Sequence, residues 1–399
     1  MLIAGCLLLV ADCWGWLLGA GLVLGLGGWG QLGGVVRSNA LGSGDAFCET
    51  WMRGTFLVAM LAALACGRGS IRTGAARGMT LGAPLIIAHR GASGLLPEHT
   101  LEAYDLAIAQ GADFIEPDVV STKDGVLIAR HENEIGATTD AGERFPGRKR
   151  AVLVDGTLID GWFAEDFSLA ELKRLRARER LAGRSHANDG KFGVPTLDEV
   201  LSLVRQRERE LGRTIGVYPE TKHPTYFRSI GLPLEDRLLD VLGRHGFGGG
   251  ADAVFIQSFE TGNLRALHRR TSIRLIQLVD ATSLPPDLVA AGDKRTLAEF
   301  LSPASLHDIA SYAFGLGPAK ALVQPLDSAG GLMSPTTLVR DAHAVGLAVH
   351  VWTLRSDAAF LPHAYNQNAG AEWLRFAALG VDGMFGDFPG DGRSALRGR

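Results

Sequence analysis

The chain has 399 residues, 46% of them hydrophobic, and a formal net charge of -3. That is material for a domain of barrel size with an extension, and it excludes a disordered chain. A near-neutral balance with no Lys/Arg cluster interleaved with aromatics also excludes nucleic-acid binding.

Residues 1–80 read as an N-terminal extension. Cys6, Cys13, Cys48 and Cys66 all lie within it, so whatever folds downstream has neither disulfides nor thiolate metal ligands. Cys13 to Val36 carries no charge and is long enough to cross a bilayer, but it is glycine-rich and no basic residue precedes it. The favoured reading lies further on. Met52-Arg53-Gly54-Thr55 is a short positive n-region, Phe56 to Leu64 an apolar h-region and Ala63-Leu64-Ala65 a small-residue cleavage site, together a secretory signal over 52–65. On that reading the protein is periplasmic or secreted. It touches a membrane only through the N-terminal segment, if this stays uncleaved or is lipidated at Cys66.

From Leu81 onward, short apolar runs alternate with helical patterns. The runs are LIIAH (85–89), FIEPDVV (114–120), IGVYPET (215–221), AVFIQSF (253–259), IRLIQLV (273–279), AFGLG (313–317), LAVHVWT (347–353) and VDGMFGD (381–387). Helices between them are signalled by TLEAYDLAIAQG, with a Thr100 cap and a Gly111 stop, and by TLVRDAHAVG, with Thr337 and Gly346 in the same roles. Eight strand–helix units predict a closed (β/α)8 TIM barrel over 81–392, followed by a short tail at 393–399.

One run breaks the alternation. Only STKDG separates FIEPDVV from VLIARH, too little for a parallel crossover, and Asp124-Gly125 signals a hairpin. A two-residue turn there places His131 opposite Asp118. The long stretch that follows predicts a small inserted subdomain at about 132–195, with a helix from Ser168 to Arg180, ahead of a crossover helix opened by Thr196. Its Arg/Lys content reads as a solvated helix face ahead of a substrate-facing basic lid.

Barrel enzymes react at the C-terminal ends of their strands, so polar residues that close apolar strands are the candidates. Strand one ends in His89-Arg90, strand two carries Glu116 and Asp118, the hairpin returns His131, and strand three ends in Glu220-Thr221-Lys222. Glu116 and Asp118 have a plainer reading as edge charges. Two acids at a barrel mouth repel, however, unless a cation or a proton lies between them. With Glu220 they form an all-oxygen set for a hard divalent ion, Ca²⁺ or Mg²⁺. His89 and His131 suit acid/base work, and Arg90 and Lys222 suit a phosphate clamp. His99 reads as a shaper of its loop, and His223, His343 and His350 as structural or surface residues. The set suits displacement at phosphorus in a phosphodiester, whose nucleophile and alcohol leaving group both need proton handling.

The motifs HRGASGLLPEHTLEAY, FIEPDVVSTKDGVLIARHENEI, DAGERFPG, YPETK, QSF, VWTLRSD and GDFP, in that order, resemble the glycerophosphodiester phosphodiesterases, most of all their larger periplasmic branch. The resemblance runs from about Leu85 to Pro389. It implies a barrel with an inserted subdomain that hydrolyses small glycerophosphodiesters to sn-glycerol 3-phosphate and an alcohol. In it His89 and His131 are the acid/base pair, Arg90 and Lys222 contact phosphate, and Glu116, Asp118 and Glu220 bind a divalent cation, Ca²⁺ ahead of Mg²⁺. Glu98 would support Arg90, and Phe259 and Trp352 would line the substrate pocket. The chain departs from the family pattern at Thr221, at Ala319-Lys320 and at Gly386, which bears on leaving-group preference. Two other readings stand beside this one: phospholipase D-like activity on lysophospholipids, and a non-catalytic phosphodiester-binding envelope protein.

Overall fold

The computed structural model describes residues 83–397; the N-terminal extension, with its signal and membrane-segment readings, lies outside the described residues. The strands are β1 (Leu85–His89), β2 (Phe114–Glu116), β3 (Asp118–Ser121), β4 (Leu127–Ala129), β5 (Arg150–Val154), β6 (Thr157–Gly161), β7 (Gly216–Val217), β8 (Glu220–Thr221), β9 (Phe255–Ser258), β10 (Arg274–Val279), β11 (Gly315–Pro318), β12 (Ala348–Leu354) and β13 (Gly383–Gly386). β1 pairs in parallel with β13 on one side and β2 on the other. The ring continues from β2 to β7 and from β3 to β8, then through β9, β10, β11 and β12 back to β13. Every expected barrel position is filled. Two are split because Pro117 and Pro219, each without an N–H, interrupt strands two and three. Across the break the ladder resumes, Glu220 N donating to the Pro117 carbonyl at 3.0 Å.

Side-chain alternation explains where the site lies. Ile87, Phe114, Tyr218, Phe255 and Phe385 meet inside the barrel as a buried apolar layer. Two residues further along the same strands stand His89, Glu116, Glu220 and Gln257, which line the cavity at the mouth. His350 belongs to the lower layer, where it shares a 2.8 Å hydrogen bond with the Tyr218 hydroxyl. Burial and the Arg274 charge lower its pKa to about 3, so it is a neutral core group, as expected. His343 pairs with Asp382 at the surface, also as expected.

The hairpin exists, with its register one residue from the predicted one. Thr122 N donates to the Val126 carbonyl and Gly125 takes a φ of +80°, so the loop holds three residues and Val119 faces Ala129. Arg130, not His131, therefore lies opposite Asp118, and its N–H donates to the Asp118 carbonyl at 3.0 Å. His131 lies beyond the end of β4, free of the ladder, and still reaches the cavity.

The helix expected over Ser168–Arg180 is a single turn, Leu169–Leu172, with Ser168 and Glu171 forming a capping box. Residues 176–178 instead bond outward, Arg176 N to Asp140 Oδ1, Ala177 N to the Phe192 carbonyl and Arg178 N to the Thr138 carbonyl. These tertiary partners outweigh the helix-forming side chains. The crossover helix Leu197–Leu211 opens on the Thr196 capping box and closes on Gly212 in the left-handed region. Thr100 caps helix Leu101–Ala109 as expected, whereas Thr337 does not cap its helix, and its hydroxyl donates to Asp341. The last helix, Pro389–Leu396, runs past the expected barrel end at 392, with Arg393 bonded to the Gly111 carbonyl and Asp113. No helix among the described residues is long and apolar enough to cross a membrane.

Candidate active site

The turn after β1 sets the first group of side chains. Arg90 and Gly91 take φ values of +61° and +86°, and a Cβ on Gly91 would lie 2.7 Å from the Ala103 carbonyl carbon, so only glycine fits against helix Leu101–Ala109. The chain doubles back until His99 N donates to the Arg90 carbonyl. Glu98 is thereby brought to Arg90, which donates to it from Nη1 at 3.1 Å, the support expected of Glu98.

Glu116, Asp118 and Glu220 are buried and present ligand atoms within 4.8 Å of one another. Both Glu116 oxygens are oriented, by the Arg90 N–H at 2.8 Å and by Gln257 Nε2 at 3.0 Å. Asp118 Oδ2 takes His99 Nε2 at 2.9 Å, while its Oδ1 is buried without a partner. Burial, and then the neighbouring carboxylates, push Glu116 well above the usual carboxylate range. Burial also raises Glu220, to about 8, against the pull of Lys222. Burial opposes ionisation of Asp118 as well, but the Lys222 charge and the His99 bond outweigh it and hold this carboxyl low. Three crowded acids with an orphaned inward oxygen make a donor set for a hard divalent cation.

His89 and His131 line the same cleft, which also includes Arg90, Phe259, Trp352 and Arg355. Each imidazole is backed through Nδ1 by a carboxylate, His89 by Asp387 at 2.6 Å and His131 by Glu132 at 2.8 Å. That leaves His89 Nε2 for chemistry and sets His131 Nε2 opposite the Lys222 ammonium, and the network assigns the proton to Nδ1 in the neutral ring. Burial and the Arg90 charge lower the pKa of His89 to about 4. Burial, Arg90 and Lys222 lower that of His131 to about 3. Lys222 approaches from an adjoining cleft that shares Glu220 and Phe259, its Nζ 2.9 Å from Glu220 and 3.4 Å from His131 Nε2. Phe259 and Trp352 meet edge to face at 5.7 Å.

Several participants were not singled out from the sequence. Asp387, Arg355 and Gln257 stand at strand ends like the residues that were, and the same strand-end rule reaches them. His99, read as a loop shaper, also orients Asp118. His223, read as structural, takes a φ of +49° and bridges Glu132 and Asp155. The insert is not merely a solvated face. Arg180 donates to Glu98 at 2.9 Å, and Arg184 donates to both Asp387 and Asp357.

The sequence model described as "Glycerophosphoryl diester phosphodiesterase family" matches residues 89–391. The chain belongs to this family. A glycerophosphodiester phosphodiesterase of Arabidopsis thaliana is 38% identical over 325 residues, which cover 77% of this chain and 84% of the relative. One of Haemophilus influenzae is 29% identical, with 79% of this chain and 90% of the relative covered. Among solved structures, a phosphodiesterase of the family from Silicibacter pomeroyi superposes with a TM-score of 0.57 at 22% identity, covering 79% of this chain and 93% of that one. An Oleispira antarctica phosphodiesterase, solved in complex with the product sn-glycerol-3-phosphate, gives 0.54 at 22% identity, with 79% and 97% covered. Both share the barrel fold. Three of this phosphodiesterase's departures from the family pattern make contacts in the helix layer. Thr221 donates to Asn263, Lys320 pairs with Glu372, and a Cβ on Gly386 would meet Trp373 at 2.4 Å.

Proposed function

We propose that this enzyme hydrolyses glycerophosphodiesters such as glycerophosphocholine to sn-glycerol 3-phosphate and the free alcohol, by two-histidine acid/base catalysis assisted by a divalent cation. The observation that carries the reading is the convergence on one cleft of two carboxylate-backed imidazoles with Glu116 and Glu220, which cluster with the buried Asp118. Glu116, Asp118 and Glu220 would hold the cation, Ca²⁺ ahead of Mg²⁺, which when bound neutralises charge on the phosphoryl oxygens.

Arg90 lies in the wall of the cleft and Lys222 beside it, so both bring fixed positive charge to a bound phosphodiester. One imidazole takes the proton of the attacking hydroxyl at Nε2; the other, taking up a solvent proton as an imidazolium when the bound phosphodiester's negative charge faces it, delivers that Nε2 proton to the departing alkoxide. Asp387 and Glu132 hold the rings in orientation and stabilise the imidazolium as it forms. On the chain's own N-terminal pattern, the reaction belongs to an exported, periplasmic-type enzyme.

The cleft walls carry Arg90, Arg355, Gln257 and the two imidazoles, polar groups that suit a small polar diester better than the acyl chain of a lipid. Purified protein supplied with Ca²⁺ or Mg²⁺ should release sn-glycerol 3-phosphate from glycerophosphocholine. Cleavage confined to lysophosphatidylcholine would favour the phospholipase D-like reading. Inactivity on every diester tried would favour a non-catalytic binding protein.

A further inference from the structure

The inserted subdomain reaches the catalytic mouth at a point that the acid/base chemistry leaves unexplained. The β5–β6 hairpin turns at Asp155 and Gly156, where φ is +46° and +81°. From that tip Asp155 Oδ2 lies 2.6 Å from His223 Nδ1. The other nitrogen of the same ring, Nε2, lies 2.9 Å from Glu132 Oε2, and the second oxygen of Glu132 takes His131 Nδ1 at 2.8 Å. His223 adopts a left-handed φ of +49°, which a non-glycine residue holds only where its surroundings impose it. A ring that donates from both nitrogens to carboxylates is a cation. Burial works against that charge, but the bonds to Asp155 and Glu132 outweigh it and raise the His223 pKa to about 9.

We infer that Asp155, His223 and Glu132 form a positioning relay by which the insert holds the His131 ring in its working orientation. Asp155 fixes His223, His223 fixes one Glu132 oxygen, and the other oxygen aims His131 Nε2 at the cleft. None of the three touches the reacting atoms; each acts through the next. Glu132 has 43% of its side chain accessible and, among the described residues, only His223 and the His131 ring bond its carboxylate, so His223 supplies its anchor away from His131.

The inference rests on His131 being catalytic, and a mutant cycle separates the two claims. Turnover is measured for Asp155→Ala, Asp155→Asn and His223→Ala, each alone, and for His223→Ala in the His131→Ala background. The substrates are glycerophosphocholine and a 4-nitrophenyl phosphodiester, whose good leaving group keeps residual rates measurable. The relay predicts a kcat loss of about tenfold or more for Asp155→Ala and His223→Ala at nearly unchanged KM, recovered largely in Asp155→Asn, whose amide oxygen still accepts from Nδ1. It further predicts no added loss from His223→Ala once His131 is gone. Additive losses, or an effect on KM alone, would overturn the relay. Full activity in His131→Ala would instead overturn the acid/base assignment on which it rests.

Discussion

Arg184, carried by the insert, donates to Asp387 at the end of the last barrel strand, with Nη2 2.5 Å from Oδ2. The other Asp387 oxygen backs His89 at 2.6 Å, and Arg355 adds a second guanidinium at 3.0 Å. Burial opposes ionisation of Asp387, but the His89 bond and the two arginine charges overcome it and hold the carboxyl far below its usual range. Asp387→Asn removes the charge and leaves two largely buried guanidiniums facing a neutral amide. The expected result is a kcat loss of at least 10²-fold and a stability loss of about 3–5 kcal/mol in urea unfolding. A stable, fully active variant would show that Asp387 does not position His89.

His89→Ala and His131→Ala should each lower kcat by about 10²–10⁴-fold while far-UV circular dichroism stays native. Steady-state rates on glycerophosphocholine check this directly, and wild-type turnover in either variant contradicts the assigned roles.

Glu116→Gln keeps an oxygen for the Arg90 N–H, requires Gln257 to turn its own oxygen to the new amide, and removes one anionic donor from the cluster. The divalent-ion concentration giving half-maximal rate should rise at least tenfold, with the rate at saturation recovering in part. An unchanged metal titration would mean the ion is held elsewhere.

The raised pKa of His223 gives a signed dependence on pH. The shift, from 6.5 to about 9, means the folded state favours the imidazolium. Its contribution to stability is therefore complete below pH 6.5 and is lost as pH rises through about 9. Asp155 and Glu132 sustain the charge and Lys222 opposes it. The stability difference between wild type and His223→Gln should accordingly shrink between pH 6 and pH 10. A difference that stays constant or widens over that range contradicts the charged form.

The barrel was legible because its strands are short apolar runs that end in chemistry. The period-two alternation that buries Phe114 and Tyr218 also delivers Glu116 and Glu220 to the mouth. Long-range partners were not legible in this way. The His131 register failed by one residue because an extra residue in the turn costs little locally and is settled by pairing along β3. The Ser168–Arg180 helix failed because Arg176 and Arg178 find better partners in residues 138–140. Arg184 sits in a polar segment with no periodicity, and only the fold shows that it meets Asp387. His223 looked ordinary because its role depends on Asp155, which arrives from the insert.

In the proposed mechanism Glu116, Asp118 and Glu220 hold one divalent cation beside both imidazoles. Anomalous diffraction from crystals soaked in Mn²⁺, with activity of the same protein assayed before and after chelation, tests it most directly. The expected result is a single strong peak within coordination distance of all three carboxylates, and turnover that disappears with chelator and returns with added metal. An absent or displaced peak, together with full turnover in chelator, would contradict it.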